Sequence, residues 1–256
     1  MTAQQAVAPL EASPRGLRER LGVAIGRAWA PLIAAIARAR HARTFHPDGD
    51  VAIGRVNAFD DGRYAQLGQR LQGSALVRCS GALRRRGHDA FDVLGIALRF
   101  RAPGGDPNDV TPREGDQDLL MATILSPFTM ASSPFTTRTS DFLANRFYAV
   151  SPFAVEGVGR TKFRLSPLSP PRATGGTRAE RLANAIAAGE ARWLLEARPV
   201  FRFPWKPVAT LTLAALADVD QVKLRFDPFR SGRGIVPRGL VHAIRPAAYR
   251  ASQTQR

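Results

Sequence analysis

The stretch Arg43-Thr-Phe-His46-Pro-Asp-Gly49-Asp-Val-Ala-Ile-Gly54 places a turn directly before a strand. Pro47-Asp48-Gly49 predicts the turn, because proline presets its own φ and glycine tolerates a positive φ. The residues that follow, Val51 to Val56, have the apolar and β-branched content of a strand. We therefore expect a hairpin that presents the His46 imidazole at its rim. The alternative is an ordinary surface histidine beside a turn.

Short apolar runs separated by turn residues continue this pattern along the chain. They predict strands over residues 75–80, 94–100, 119–124, 148–166 (around a turn at 157–159), 193–203 and 208–213. Residues 102–117 predict a loop, residues 166–177 a linker, and residues 177–190 a helix that stops at Gly189. Many strands with a few attached helices predict an α+β domain built on an antiparallel barrel or sandwich.

Residues 126–146 mix phenylalanines with serine, threonine and proline, which favours an irregular cover over a cavity. Phe128, Phe135 and Phe142 are candidates for its wall. Ordinary core packing, the more usual role of phenylalanine, is the alternative.

The first 40 residues differ in composition from the rest. Residues 1–13 predict an arm, and residues 14–40 a basic amphipathic helix that starts at Ser13-Pro14. Pro31 interrupts its apolar part, which is too short for a comfortable membrane span. Three roles stay open for this helix: packing on the domain, a contact in a homodimer, or peripheral contact with an anionic membrane. The main domain is expected over residues 41–256.

Composition limits the compartment and the partners. The 256 residues carry a formal net charge of +16, nearly all from arginine, which suggests an anionic partner. No nucleic acid is expected, because the basic run Arg84-Arg-Arg-Gly-His88 has no interleaved aromatic residues. The single cysteine, Cys79, excludes an internal disulfide and a cysteine-rich metal site. It fits a reducing compartment, and no secretory signal is evident, so we expect a cytoplasmic protein.

From residue 43 to residue 256 the sequence resembles the haem catalases, including the short catalase-related peroxidases. The family's distal histidine lies in the pattern Arg-x-x-His-x-x-Gly-x-x-x-x-Gly, which Arg43, His46, Gly49 and Gly54 satisfy. A second family strand reads Arg-x-Ser, which Arg78 and Ser80 match; the residues that match later family segments are Asp92, Gly95, Ala97, Arg99, Phe100, Asn184, Gly189 and Trp193. The spacing between the last two is one residue shorter here.

The C-terminal part carries the most specific match. The family's proximal signature has an arginine four residues before the axial tyrosine and another arginine seven residues after it. Arg245, Tyr249 and Arg256 reproduce this spacing. The resemblance therefore implies a catalase-like antiparallel β-barrel with flanking helices and a bound haem b.

The resemblance also implies roles for the haem-binding residues. Tyr249 would bind the haem iron as a phenolate, which the neighbouring guanidinium of Arg245 favours. Because haem carries two propionates, the cofactor-binding set would include the arginines Arg43, Arg78 and Arg256.

A catalytic set follows from the same resemblance. His46 would exchange protons with peroxide, and Ser80 would fix the histidine tautomer. The family's distal asparagine is missing, and Thr123 occupies or approaches its position.

These residues predict a haem-dependent hydroperoxidase, an oxidoreductase that acts on hydrogen peroxide or organic hydroperoxides in oxidative stress. Peroxidase turnover is expected rather than efficient dismutation, since Thr123 is shorter than asparagine. The alternative is a catalase-fold protein without redox activity, which binds a hydrophobic or anionic ligand or a membrane surface.

Overall fold

The computed structural model describes residues 49–82, 91–126, 129, 132–168, 172, 174–200 and 202–238. These residues form ten strands: β1 (Gly49–Ala58), β2 (Gly73–Gly81), β3 (Leu94–Phe100), β4 (Gln117–Ala122), β5 (Phe147–Tyr148), β6 (Phe153–Val155), β7 (Gly159–Pro167), β8 (Arg192–Pro199), β9 (Lys206–Leu216) and β10 (Ile235–Pro237).

Eight of the strands close into an antiparallel barrel in the order β1-β2-β3-β4-β5-β7-β8-β9. The barrel closes because β9 pairs with both β1 and β8, and β8 pairs in turn with β7. Strand β6 pairs with the Gly159–Thr161 end of β7, and β10 pairs with β6. The predicted antiparallel β-barrel is confirmed.

The inside of the barrel is a packed apolar core. Along β2, Ala75, Val77 and Cys79 belong to this core, because side chains alternate between the two faces of a strand. An eight-stranded barrel leaves room inside for side chains, and large ones fill it here: Phe100, Leu119, Phe147, Phe163, Trp193 and Leu211. Side chains that could do chemistry therefore lie on the outer face and at the rims.

Most predicted strands are found, with shifts at their ends. The predicted strand 94–100 coincides with β3, and 75–80 lies within β2. The strand predicted over 193–203 was too long, because β8 ends at Pro199 and β9 begins at Lys206. Pro204 lies in the connection and has no N–H to donate to a ladder.

Three α-helices lie in the described residues: α1 (Ala65–Leu71), α2 (Ser133–Thr136) and α3 (Arg178–Ala187). The predicted helix over 177–190 is confirmed as α3, and a capping box fixes its start. Thr177 Oγ1 accepts a hydrogen bond from Glu180 N (3.2 Å), and the Glu180 carboxylate accepts one from Thr177 N (3.1 Å). Within the described ranges, no helix is long and apolar enough to cross a membrane.

The phenylalanine wall predicted over 126–146 does not form as expected. Phe142 is 1% exposed, belongs to the barrel core and lies in a short 3-10 helix (Phe142–Ala144), so the core alternative holds for it. Phe135 is 77% exposed and cannot wall a cavity. Phe128 lies outside the described residues.

A second apolar cluster covers part of the outer face of β1 to β4. Val51 and Leu76 from the strands pack there against Leu224 and Phe226, which lie between β9 and β10. Beside this cluster, residues Asp116 to Asp118 hold residues 227–233 through hydrogen bonds and ion pairs. The segment after β9 is thereby fixed on the outside of the barrel.

Candidate functional site

A row of small residues crosses four strands at one end of the barrel. In the strand registers Gly49 is opposite Ser80, Ser80 is opposite Gly95, and Gly95 is opposite Ala122. Cys79 points into the barrel core, so its neighbour Ser80 belongs to the outer face. Ser80 therefore lies between two glycines, which have no side chains to project from the outer face beside it.

Arg78 lies beside this row on the same outer face. Its register partners are Val51 on β1 and Ala97 on β3, both shorter side chains. Arg78 is 8% exposed and Ser80 is 6% exposed, so both polar groups are buried. A methyl group on Gly49 would approach Arg78 Nε to 3.0 Å and the Cys79 carbonyl oxygen to 2.7 Å. The absence of a side chain at Gly49 thus provides the space in which Arg78 lies.

A buried carboxylate organises the neighbouring rim, where β2 ends and β3 begins. Asp92 Oδ1 accepts hydrogen bonds from Ala82 N (3.0 Å) and Val93 N (2.7 Å). Arg178, the first residue of α3, places Nη1 3.8 Å from Asp92 Oδ2 and donates to Thr139 O at 3.0 Å. A Cβ on Gly81 would come within 2.2 Å of Asp92 Oδ2, so this contact requires glycine.

Thr123 follows β4, and its hydroxyl is held by neighbouring groups. Thr123 Oγ1 accepts a hydrogen bond from Leu94 N (3.1 Å) and lies 2.8 Å from Thr137 Oγ1. Thr137 Oγ1 itself donates to Ser133 O at 2.8 Å. Since a hydroxyl has one hydrogen, Thr123 is the donor in the pair with Thr137. Only a lone pair of Thr123 remains to meet a substrate.

The β4 residue in the row with Ser80 is Ala122, not Thr123. Ala122 has no hydrogen-bonding side chain. The predicted role of Thr123 in peroxide binding stays a prediction, and it would require the pair with Thr137 to open.

Cys79 is buried beneath this face. Burial raises the pKa of its thiol to about 12, although the nearby charges of Arg78 and Arg178 lower it. A thiol with this pKa is almost entirely protonated at neutral pH and is a poor nucleophile. Cys79 is therefore a core residue and does not belong to the candidate site.

The remaining predicted site residues lie outside the described residues. These are Arg43 and His46, which precede β1, and Arg245, Tyr249 and Arg256, which follow β10. All four histidines of the chain fall outside the described ranges. Within those ranges, no group of three or more histidine, cysteine, aspartate or glutamate residues could hold a metal ion.

Solved structures with a similar fold include two catalases. A fungal catalase matches 88% of this chain with a TM-score of 0.56 and 14% identity. A bacterial catalase matches 99% of it with a TM-score of 0.58 and 15% identity. The barrel has the catalase fold.

The likeness is one of fold, because identity is low and the chain spans 62% and 63% of the lengths of these two catalases. No protein-family model matches the sequence, and no curated protein sequence matches it. The catalase-like fold predicted from the sequence motifs is thus found, together with Arg78 and Ser80 on one buried face.

Sequence reasoning missed two features of this site. The row that includes Ala122 depends on strand register, which no local pattern reveals. The contact between Asp92 and Arg178 joins residues far apart in the chain, although Asp92 was already part of the family resemblance. An aspartate directly before an apolar strand was the available signal.

Proposed function

We propose that this protein is a divergent catalase-like protein that binds haem b and reduces hydrogen peroxide or organic hydroperoxides. The observation that carries the proposal is the catalase fold with Arg78 and Ser80 buried together on its outer face. Arg78 is a buried cation beside a row without large side chains, and this arrangement suits a flat ligand with acidic substituents.

The residues that would hold the group come from both ends of the chain and from β2. Arg78 would bind a propionate, together with Arg43 and Arg256. Tyr249 would bind the iron through its phenolate oxygen, and Arg245 would lower the pKa of that phenol by its positive charge. Haem b, when bound, supplies the iron-centred redox chemistry of peroxide reduction.

The protein's own part in the reaction is proton transfer. Neutral His46 would accept a proton from one oxygen of the peroxide and return it to the departing oxygen. Ser80 is opposite Gly49, which follows His46 by three residues in the sequence, and its hydroxyl would orient the imidazole. Both residues are common to peroxidase and catalase turnover.

Peroxidase turnover is the favoured activity. Dismutation requires a second peroxide to be positioned for oxidation, and a hydrogen-bond donor beside the histidine assists this positioning. Ala122 offers no donor, and the hydroxyl hydrogen of Thr123 is directed at Thr137. Peroxidase turnover with hydrogen peroxide or an organic hydroperoxide needs no second peroxide, because a separate reductant supplies the two electrons.

Haem loading tests the cofactor. The full chain is expressed with excess haem, and its absorption spectrum is compared with that of Tyr249→Phe. We expect a Soret band of a high-spin ferric haem that is lost or strongly shifted in the variant. Tyr64→Phe is the matched control, because Tyr64 is buried in the barrel core and lies outside the proposed ligand set. Colourless wild-type protein would instead support the alternative, a catalase-fold protein without redox activity.

Peroxide reduction tests the base. His46→Ala should keep the Soret band and reduce peroxide at least about a hundredfold more slowly, the usual contribution of a general base. His88→Ala provides the control, since it also removes one imidazole. Equal peroxide consumption in wild type and His46→Ala would exclude the proposed base even if haem binds.

A further inference from the structure

A second outer surface lies on β7 and β8 and on the connection to β9, and its charge is unbalanced. The two strands carry five basic side chains and one acidic side chain, Glu196. Glu196 is already used, because it accepts two hydrogen bonds from Arg164 (2.6 and 2.9 Å) and one from Ser166 (2.6 Å). The remaining basic groups on this surface have no acid on these strands to pair with.

Two of these basic groups face each other across the strand pair. Lys162 on β7 is directly opposite Arg198 on β8. Like charges in this position repel, and the repulsion destabilises the sheet. Burial and the charge of Arg198 lower the pKa of Lys162, while burial and the charge of Arg164 lower the pKa of Arg198. Arg198 Nε is also buried without a hydrogen-bond partner. An anion bound between Lys162 and Arg198 would offset their mutual repulsion. It would also offer Arg198 Nε a hydrogen-bond acceptor.

Aromatic side chains border this cationic pair. The Arg198 guanidinium lies 4.0 Å from the ring centre of Phe203 and 4.6 Å from that of Trp205. Arg164 lies 4.7 Å from the same Trp205 ring. Phe203 projects from the connection and is 77% exposed, together with the exposed cations Arg202 and Lys206. The connection thus combines an exposed apolar ring, a tryptophan and several positive charges.

Two described residues of the connection are hydrogen-bonded to strand residues. Val200 N donates to Arg160 O on β7 (3.1 Å), and Arg202 N donates to Pro199 O (3.3 Å). Arg198 also donates to Arg202 O at 3.4 Å. These hydrogen bonds fix Val200 and Arg202, the residues that precede Phe203 in the connection.

The geometry points to a binding surface for an anionic phospholipid bilayer, in which a lipid phosphate binds between Lys162 and Arg198 and Phe203 enters the acyl region. Tryptophan prefers the interface between headgroups and acyl chains, where Trp205 would lie. A nucleic acid suits the surface less well, because two guanidinium groups already lie over the Trp205 ring and hinder stacking of a base. This surface lies on other strands than β2, which carries Arg78.

Vesicle binding tests the proposal with the full chain. Sedimentation with vesicles of equimolar phosphatidylcholine and phosphatidylglycerol is compared with sedimentation with pure phosphatidylcholine. We expect binding to the anionic vesicles only. Phe203→Ser should weaken it at least about tenfold, and Lys162→Gln or Arg198→Gln about fivefold each. In a Phe203→Trp variant, bromine-labelled acyl chains should quench the additional fluorescence.

Two matched control variants test whether vesicle binding depends on this surface or on any exposed apolar or basic side chain. Phe135→Ser removes an equally exposed phenylalanine, 77% exposed, from α2. Lys223→Gln removes one exposed positive charge paired with Asp220. Both should bind the vesicles like wild type.

Three results would overturn the proposal. In the first, the Phe203, Lys162 and Arg198 variants bind the vesicles like wild type, which would assign any binding to other parts of the chain. In the second, the control variants lose as much binding as these variants. In the third, wild type binds single-stranded DNA and not the vesicles, and the surface variants lose the DNA binding. This result would assign the surface to nucleic acid. Circular dichroism checks that each variant is folded.

Discussion

At the residue scale, Thr123 shows how neighbours decide what a polar side chain can do. The sequence makes its hydroxyl a candidate for peroxide binding. In the structure the hydroxyl joins the start of β3, through Leu94 N, to the residue that follows α2, through Thr137 Oγ1. Because its hydrogen points at Thr137, Thr123 contributes to holding the segment before β5 against the barrel rim.

This contact predicts a measurable coupling. Thr123→Val keeps the shape of the side chain but removes the hydroxyl, so we expect a loss of about 1–2 kcal/mol in the free energy of unfolding. Thr137→Val should cost a similar amount, and the double variant less than the sum of the two. Urea unfolding of the four proteins measures the coupling. Strictly additive losses would show that the two hydroxyls do not interact.

At the scale of the elements, the sequence predicts those strands and strand faces that are set by residues close together in the chain. The strand from residue 94 to residue 100 was found in full because alternating apolar residues and flanking turns mark it. The two-residue spacing of Arg78 and Ser80 places both on one face of β2 for the same reason. Helix α1 and the cover formed by residues 217–226 were not predicted, because contacts with distant strands stabilise them.

A buried ion pair links residues of two strands to the segment that follows β9. Arg99 on β3 and Asp118 on β4 are both fully buried, and Arg99 donates two hydrogen bonds to the Asp118 carboxylate (2.9 and 3.0 Å). Arg99 also donates to the backbone carbonyls of Val110 and Arg225. Asp118 accepts a further hydrogen bond from Asp227 N at 2.8 Å. One pair thus connects two strands to the segment that follows β9.

Asp118→Asn should destabilise the protein strongly. The substitution leaves the buried charge of Arg99 without its counter-charge, which costs about 3–5 kcal/mol. Chemical denaturation measures the loss. Asp109→Asn is the control, because Asp109 pairs with Arg113 on the surface (3.2 Å) and its loss should change stability little. Equal stability of both variants would mean that the buried pair does not hold the cover in place.

At the scale of the whole molecule, the residues of the barrel core differ from the residues of the candidate site. Its core is made within the described residues, from Ala52 on β1 to Ile235 on β10. The candidate site uses the outer wall of the same strands, and part of the proposed ligand set comes from residues 43–46 and 245–256. Sequence motifs name those distant residues through a resemblance, whereas the register that places Ser80 between two glycines emerges only when the barrel closes.

This separation predicts that the protein folds without haem and that haem then adds stability. The apolar core requires no cofactor, so the haem-free full chain should unfold in one cooperative transition on heating. A ligand that binds only the folded state at about a hundred times its Kd contributes about 2.7 kcal/mol, which corresponds to a rise in Tm of about 5–10 °C for a domain of this size. Calorimetry with and without haem measures the shift, and Tyr249→Phe should reduce it while Tyr64→Phe, in the barrel core, should not. A haem-free chain without a cooperative transition would contradict the independence of the core, whereas a cooperative transition that haem leaves unmoved would contradict haem binding alone.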